Sequence, residues 1–156
     1  MQAPVLSSSS ELQSWLSNAP HPLVFTNGCF DILHRGHVTY LQQAADLGAA
    51  LIVALNSDAS VKRLDKGTER PINPLEDRMA VIAALSAVSA VCWFDEDTPL
   101  ELIKQCQPKI LVKGGDWPIE QIVGCKQVQA WGGSCHSIPF KFERSTTLLV
   151  NKIKTE

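Results

Sequence analysis

Two histidines three residues apart, in the segment His34-Arg35-Gly36-His37, are the residues of this 156-residue chain that most directly suggest chemistry. A stretch with helical spacing follows them, so both imidazoles can face the same side near a helix N-terminus. Such a terminus presents unpaired backbone N–H groups and a partial positive charge, and it binds phosphate readily. Gly36 has no Cβ, which lets a phosphate approach the backbone. The segment predicts imidazole donors that stabilise charge on a phosphoryl group during its transfer.

Polar residues also follow several apolar runs that we interpret as strands. They occupy positions 26–31, 56–58 and 113–116. Parallel strands bring their carboxyl ends to one edge of a sheet, where open α/β folds bind ligands. We therefore expect these residues to surround one site together with the histidine segment.

The alternation of apolar runs and helical patterns predicts an α/β, Rossmann-like fold with helices on both faces of a five-stranded parallel sheet in the order 3-2-1-4-5. The predicted strands cover residues 23–26, 49–55, 91–94, 109–112 and 134–138. The predicted helices cover residues 11–16, 37–47, 59–64, 73–90, 98–107 and 118–131, and a last one is capped by Ser145. Asn73 is the expected cap of the fourth helix. We expect one domain over residues 1–156, with residues 1–20 as an N-terminal helical extension.

Composition excludes several classes of protein. Hydrophobic residues make up 45% of the chain, charged residues 19%, and the net charge is −2, so no basic surplus indicates a nucleic-acid partner. The start of the chain lacks the features of a signal peptide. The longest apolar stretch, residues 79–91, is too short to span a bilayer. We expect a cytoplasmic protein that acts on small molecules without a membrane.

The five cysteines include no Cys-x-x-Cys pair. Cys125 and the Cys135-His136 pair lack an evident fourth ligand for zinc. We therefore expect no protein-held metal site, and we expect reduced, buried thiols.

Residues 28–37, Gly-Cys-Phe-Asp-Ile-Leu-His-Arg-Gly-His, resemble the signature of the cytidylyltransferase-like nucleotidyltransferases. Three more segments narrow the resemblance to the heptose 1-phosphate adenylyltransferases within that family. They are Asn-Ser-Asp-Ala-Ser-Val at 56–61, Arg-Pro-Ile-Asn-Pro at 70–74 and Leu-Val-Lys-Gly-Gly-Asp at 111–116. The resemblance extends over about residues 23–153, which is nearly the whole chain.

The resemblance implies that ATP and D-glycero-β-D-manno-heptose 1-phosphate give ADP-heptose and pyrophosphate, with Mg²⁺, for the lipopolysaccharide core. Many relatives carry a fused sugar kinase. We expect a separate heptose kinase to supply the sugar phosphate here, and a homodimer is compatible with the chain.

Together, the residues and the resemblance predict catalytic roles for His34, His37 and Lys113. The predicted nucleotide contacts are Thr26, Asn27, Gly28, Phe30, Asp31, Gly36, Arg78, Gly114, Gly115, Asp116, Ser145, Thr146 and Thr147. The resemblance places Ser145 to Thr147 at the β- and γ-phosphates. The predicted contacts to the sugar phosphate are Asn56, Asp58, Lys62, Arg63 and Lys66.

Several of these residues also have a purely structural interpretation. Asp31 either orients a lysine or holds Mg²⁺, or it bonds its own backbone after the glycine turn. The cations at 62, 63 and 66 either receive the sugar phosphate or are simply solvated. Arg78 either reaches phosphate or joins a surface ion pair, and Trp117 either stacks on the base or packs under its loop.

One departure from the family lies before Ser145, where many relatives have glycine and a small residue. This chain has Glu143-Arg144. Arg144 could clamp a phosphate, whereas Glu143 beside a triphosphate is electrostatically unfavourable unless it points away.

Three other functions compete with this interpretation. A dinucleotide-dependent oxidoreductase requires Gly-x-Gly-x-x-Gly after the first strand, and this turn has a single glycine. A nucleotide sensor would have lost the reactive groups. A cytidylyltransferase acting on glycerol 3-phosphate or another polyol phosphate is the nearest enzymatic rival, because it shares the same core residues.

Overall fold

The computed structural model describes residues 1–142 and 145–155. The strands are β1 (Leu23–Gly28), β2 (Ala50–Asn56), β3 (Ala90–Phe94), β4 (Ile110–Gly114) and β5 (Ser134–Ile138). The helices are α1 (Ser9–Leu16), α2 (Arg35–Ala45), α3 (Asp58–Arg63), α4 (Leu75–Ala83), α5 (Leu100–Cys106), α6 (Cys125–Ala130) and α7 (Thr146–Lys154). A 3-10 turn, Ile119–Gln121, precedes α6.

All the strand pairs in the sheet are parallel, and their order is β3-β2-β1-β4-β5, as predicted. The central strands are buried on both faces. Phe25 and Ile52 contribute to the core on the side of α1, α5 and α6, whereas Val24 and Leu51 contribute to the core on the side of α2 and α4. The predicted helices on both faces are confirmed. The carboxyl ends of β1, β2 and β4 therefore meet at one edge.

The first residues of the chain lie along the outer edge of the sheet beside β3. Leu6 N donates to Val91 O at 2.8 Å, and Val91 N donates to Pro4 O at 3.0 Å. Ser8, rather than the predicted Ser10, caps α1, and Leu12 of that helix is buried in the core. The N-terminal segment thus protects an otherwise unpaired strand edge.

The fourth helix differs from its prediction at both ends. It begins at Leu75 with Pro74 as its cap, and Asn73 instead donates its side-chain amide to Asp31 O at 2.6 Å. It ends at Ala83 rather than near residue 90, because the chain must turn back before it enters β3. Ser89, the last residue of that turn, donates its N–H to Leu51 O at 2.8 Å.

The helix predicted over residues 118–131 is interrupted. Gly124 has φ 87°, so the backbone leaves the helical region between the 3-10 turn and α6. A Cβ at Gly124 would lie 2.7 Å from Ile103 Cδ1. A glycine is therefore required there both by conformation and by contact with α5.

The prediction that all the cysteines are reduced is wrong for two of them. Cys125 and Cys135 form a disulfide, because the first residue of α6 lies beside β5 with a Cα–Cα distance of 5.8 Å. Cys29, Cys92 and Cys106 are buried free thiols. Burial raises the pKa of Cys106 to about 12, so this thiol stays protonated at neutral pH.

Within residues 1–142 and 145–155, no helix is long and apolar enough to cross a membrane.

Candidate active site

The histidine segment forms the N-terminal end of α2. The helix begins at Arg35, two residues before the predicted start, because His34 serves as its cap. His34 Nδ1 accepts from Gly36 N at 3.1 Å, and His37 Nδ1 accepts from His34 N at 3.4 Å. An imidazole whose Nδ1 accepts carries its proton on Nε2 in the neutral state. Both rings can therefore donate from Nε2.

The two rings stack on each other with their centroids 3.8 Å apart. Burial lowers the pKa of His34. Burial, together with the nearby His34 and Lys66, lowers the pKa of His37 to about 4. His37 is therefore neutral at physiological pH, and it can act as an uncharged hydrogen-bond donor.

An aromatic frame of Phe30, Tyr40 and Phe140 surrounds these rings. The ring of Phe30 lies 5.2 Å from His37 between centroids, and that of Phe140 lies 6.3 Å from each histidine. Phe140 also packs edge-on against Tyr40 at 5.7 Å. Tyr40 and Phe140 were not predicted as site residues, because isolated aromatics in a helix and a loop carry no motif.

Thr26 supports this frame from inside the protein. Its hydroxyl donates to Val112 O at 2.9 Å and accepts from the hydroxyl of Tyr40 at 2.6 Å. The side chain is fully buried. The structure thus places Thr26 beneath the site rather than in the wall predicted to line the nucleotide.

A cavity of about 550 Å³, here called the histidine cavity, opens in front of the frame. It brings together most of the predicted catalytic and nucleotide-binding residues. Those that line it are Asn27, Gly28, Phe30, Asp31, His34, His37, Lys113, Gly114, Ser145, Thr146 and Thr147. The same wall includes Lys66 and Arg70.

Gly36 makes room for the His34 ring, and Gly114 makes room for the aromatic frame. A Cβ at Gly36 would lie 2.9 Å from His34 Cε1, and one at Gly114 would lie 3.1 Å from Tyr40 Cζ and 3.2 Å from Phe140 Cζ. Gly36 therefore leaves space for the His34 ring, a reason that differs from the predicted close approach of a phosphate.

Ser145 caps α7 as predicted, and its Oγ accepts from Leu148 N at 3.1 Å. Thr146 donates its hydroxyl to Ile32 O at 3.0 Å, which joins α7 to the histidine loop. The exposed side chain of Thr147 borders the cavity. The departure noted at Glu143 and Arg144 lies outside the described residues.

A second cavity of about 420 Å³, here called the tryptophan cavity, adjoins the first. The residues common to both walls are Asn27, Gly28, Cys29, Lys66 and Lys113. Burial and the nearby Lys66 lower the pKa of Lys113, whose Nζ lies 5.3 Å from the centroid of the Trp117 ring.

The turn after β4 shapes this second cavity. Trp117 N donates to Ser137 Oγ at 2.9 Å, and Ser137 Oγ donates to Gly115 O at 2.6 Å. Gly115 has φ 106°, which permits the turn. Gly115 and Asp116 lie in this turn, outside the residues that line either cavity.

Asp31 is engaged by the loop that carries Lys66. It accepts from Arg70 Nε at 2.5 Å, from Ile72 N at 2.9 Å and from Asn73 N at 2.8 Å. Burial by itself raises the pKa of Asp31, but these donors outweigh it and hold the pKa below its ordinary value. Arg70 was not assigned a role from sequence, although it belongs to the 70–74 segment that carries the resemblance.

Arg78 is 1% exposed and lies behind the site. It donates to Asn73 O at 3.0 Å, to Cys29 O at 2.9 Å, to Asn56 O at 2.8 Å and to Asp58 Oδ1 at 2.7 Å. The guanidinium lines neither the histidine cavity nor the tryptophan cavity. Arg78 therefore links the ends of β1 and β2 through these hydrogen bonds.

The residues predicted at the sugar phosphate are divided by the structure. Asn56 and Lys66 line the tryptophan cavity, whereas Asp58 pairs with Arg78. Arg63 lines neither cavity, and its Nε donates to Asp97 Oδ1 at 2.7 Å. Lys62 is exposed on α3 and lines neither cavity.

The carboxyl edge of the parallel sheet holds a stacked histidine pair, a hydroxyl-capped helix and two lysines, an arrangement that suits phosphoryl transfer. The sequence comparison identifies the family. Residues 25–155 match the model of the cytidylyltransferase-like family, and the chain belongs to that family.

Two curated relatives and one solved structure are similar to this chain. The D-beta-D-heptose 1-phosphate adenylyltransferase of Bordetella bronchiseptica is 58% identical over 86% of this chain and 83% of its own length. The Bifunctional protein HldE of Hahella chejuensis is 56% identical over 86% of this chain but only 28% of its own length. The lipopolysaccharide core biosynthesis protein of Thermoplasma volcanium has the same fold, with a TM-score of 0.64 and 24% identity over 78% of this chain and 98% of its own.

Proposed function

We propose that this chain is an adenylyltransferase that converts ATP and D-glycero-β-D-manno-heptose 1-phosphate into ADP-heptose and pyrophosphate, for lipopolysaccharide core synthesis. The observation that carries the choice of substrates is the 58% identity to the Bordetella heptose 1-phosphate adenylyltransferase, which covers most of both chains. The assembled histidine cavity supports the type of reaction.

The reaction is a direct displacement at phosphorus. An oxygen of the sugar phosphate forms a bond to the α-phosphorus of ATP, and the bond from that phosphorus to the oxygen bridging the β-phosphorus breaks. Pyrophosphate leaves with the electron pair. Such a transfer depends on positioning and on charge stabilisation.

The histidine pair supplies donors for the oxygens on which charge grows. Because both Nδ1 atoms accept backbone N–H bonds, each Nε2–H is available to the substrate. Lys113 and Lys66, in the wall common to the two cavities, add positive charge beside the same phosphate. We propose that Ser145, Thr146 and Thr147 bind the phosphates that leave, at the N-terminus of α7.

Magnesium has no carboxylate cage in the part of the chain that the structure describes, where no three His, Cys, Asp or Glu side chains are grouped as ligands. Asp31 is already bonded to Arg70, Ile72 and Asn73. The residues present therefore do not fit a protein-held ion. We propose that Mg²⁺ enters as part of the Mg·ATP substrate, bound by phosphates and water.

The substrates imply the neighbouring reactions. We propose that a separate heptose kinase phosphorylates the sugar upstream of this reaction. We propose that the chain works in the cytoplasm, where ATP is available. We also propose a homodimer, in which the exposed Leu148 and Ile153 of α7 would be covered. Sedimentation velocity tests this, and a single monomeric species at micromolar concentration would refute the dimer.

The test of function presents the protein with ATP or CTP together with heptose 1-phosphate, heptose 7-phosphate or glycerol 3-phosphate. Pyrophosphate release and the mass of the product are measured. We expect turnover with ATP and heptose 1-phosphate and none with heptose 7-phosphate. Turnover restricted to CTP with glycerol 3-phosphate would overturn the proposal in favour of a cytidylyltransferase, and ATP binding without turnover of any acceptor would indicate a nucleotide sensor.

A further inference from the structure

The segment that follows β5, residues 139–142, lies against the start of α2 at two points. The ring of Phe140 is edge-on to both histidine rings, with 6.3 Å between its centroid and each of theirs. Two residues further along the segment, the guanidinium carbon of Arg35 lies 3.8 Å from the centroid of the Phe142 ring. Both points of contact therefore involve the histidine segment itself.

The contact between Arg35 and Phe142 lies outside the cavities. Neither residue belongs to the lining of the histidine cavity or of the tryptophan cavity. Arg35 is exposed and Phe142 is half-buried. A guanidinium over the face of an aromatic ring is attracted by the negative charge of that face. Because neither side chain borders a cavity, the contact can influence the reaction only through the residues that it positions.

Phe140 is the residue that this contact can position. On its inner side the ring packs edge-on against Tyr40 at 5.7 Å between centroids, and the hydroxyl of Tyr40 is fixed by its 2.6 Å hydrogen bond to Thr26. The side chain is nevertheless 41% exposed, and it stands on a segment that follows the last strand of the sheet. The inner contacts therefore define where the ring fits, whereas the segment must hold it there from outside.

The place of Phe140 matters for the state of the His37 ring. Burial is the largest cause of the lowered pKa of His37, and the Phe140 ring is one of the groups that cover this imidazole. Departure of Phe140 would admit water to the imidazole. The ring would then be less firmly oriented and easier to protonate.

We propose that Arg35 and Phe142 form a latch that holds Phe140 against the histidine pair, and that both are positioning residues for nucleotidyl transfer. This inference rests on the proposed function. Arg35 lies between His34 and His37 in the chain, so the latch fastens the segment to the same helical turn that carries the two donors. With the latch closed, the Nε2–H groups keep one orientation toward the phosphate.

Two variants break the latch from either side, Arg35→Gln and Phe142→Leu. With Mg·ATP and heptose 1-phosphate, each should lower kcat roughly two- to fivefold, the effect expected for one exposed cation–π contact. The double variant should be no slower than the slower single variant, because both changes remove the same contact. Phe142→Tyr keeps an aromatic face, and Lys141→Gln removes a positive charge from an exposed position of the same segment. Both of these controls should keep the wild-type kcat.

A second measurement does not depend on turnover. NMR titration of the His37 ring in Phe142→Leu should give a midpoint that rises from about 4 toward the ordinary value of about 6.5, because water reaches the imidazole. Phe142→Tyr should keep the low midpoint. Circular dichroism establishes that each variant is folded.

The latch and the proposed function fail in different ways. Absence of turnover by the wild-type protein with ATP and heptose 1-phosphate would overturn the proposed function, and the NMR midpoint would then decide the latch by itself. An unchanged His37 midpoint in Phe142→Leu would overturn the latch in either case.

If the wild type is active, three kinetic results would also overturn the latch. The first is an unchanged kcat in both single variants, and the second is a double variant in which the two losses multiply. The third is a loss in Lys141→Gln equal to that in Arg35→Gln, which would assign the effect to net charge.

Discussion

The carboxylate of Asp31 accepts a hydrogen bond from Arg70 Nε at 2.5 Å, and the Asp31 side chain is fully buried where it does so. Asp31 lies between the end of β1 and the histidine pair, and Arg70 follows the exposed loop that contains Lys66. The contact therefore fixes the Lys66 loop relative to His34 and His37. Asp31 therefore has a structural role, whereas the sequence also suggested that it orients a lysine or holds a magnesium ion.

Asp31→Asn should lower the free energy of unfolding by about 1–3 kcal/mol, because charge-assisted hydrogen bonds from Arg70 and two backbone N–H groups are weakened. Urea denaturation at pH 7 measures the change. Asp77→Asn, at an exposed position of α4, is the matched control and should change stability little. Equal stability of the Asp31 variant and the wild type would contradict the structural role.

The same contact gives a pH dependence whose sign follows from the lowered pKa of Asp31. A carboxyl with a lower pKa in the folded state stabilises the protein above its unfolded pKa of about 3.9 and loses that contribution as pH falls further. The stability difference between wild type and Asp31→Asn should therefore be constant from pH 7 to about 5 and shrink below about 4. A difference that grows as the pH falls would contradict this sign.

Arg78→Lys should destabilise the protein by about 3–5 kcal/mol, because one ammonium cannot replace a buried guanidinium that serves three carbonyls and Asp58. Urea denaturation measures the change, with Arg63→Lys, at an exposed position of α3, as the control. In the fraction that folds, ATP affinity by calorimetry should be near that of the wild type. A stable variant that has lost ATP binding would instead support the phosphate contact predicted from sequence.

The neutral state of His37 is open to direct measurement. Burial, His34 and Lys66 lower its pKa to about 4, so its ring should show no titration between pH 8 and about 5.5. NMR shifts of the imidazole carbon-bound protons follow the ionisation, and the His37→Gln variant assigns the signal. A midpoint near the ordinary value of about 6.5 would show that the ring is charged at lower physiological pH.

The sheet order was predictable from the sequence, because continuous apolar runs alternate with capped helical patterns. The connections between parallel strands in such a chain are short and right-handed, so few strand orders are possible. The helix ends were less predictable. The helix predicted over residues 73–90 stops at Ala83, because the chain then turns and Ser89 N donates to Leu51 O. No local signal in the sequence encodes this tertiary contact.

Candidate site residues could be predicted where they lie at the carboxyl end of a strand, as Lys113 does, or cap a helix, as His34 and Ser145 do. The same rule applied to the third strand would have found Asp97 and Thr98, which follow β3 and line the tryptophan cavity. Thr26 was assigned to the nucleotide by the resemblance, and Arg78 was assigned to it from its position in the first turns of a capped helix. Whether such a side chain points into a cavity or into the interior is decided by packing, so sequence position alone does not reveal it.

The pairing of Cys125 with Cys135 was unpredictable for a similar reason. Their separation of ten residues matches no motif, and only the packing of α6 beside β5 brings them together.

We propose that His37 stabilises the transition state of nucleotidyl transfer as a neutral donor fixed at the third position of α2. Its contribution should be larger in the transition state than in the ground state, since charge on the phosphoryl oxygens grows during displacement. Gly36, the helix N-terminus and the turn at Ser145 remain in place when the imidazole is removed.

The most direct test is His37→Ala, measured by single-turnover kinetics beside calorimetric ATP binding on protein shown to be folded. We expect kcat to fall roughly 10²- to 10³-fold, the usual loss for one such donor, while the Kd for ATP changes far less. Retention of kcat within a few-fold, or a loss of ATP binding in step with the loss of rate, would contradict the account and make His37 a ground-state or structural residue.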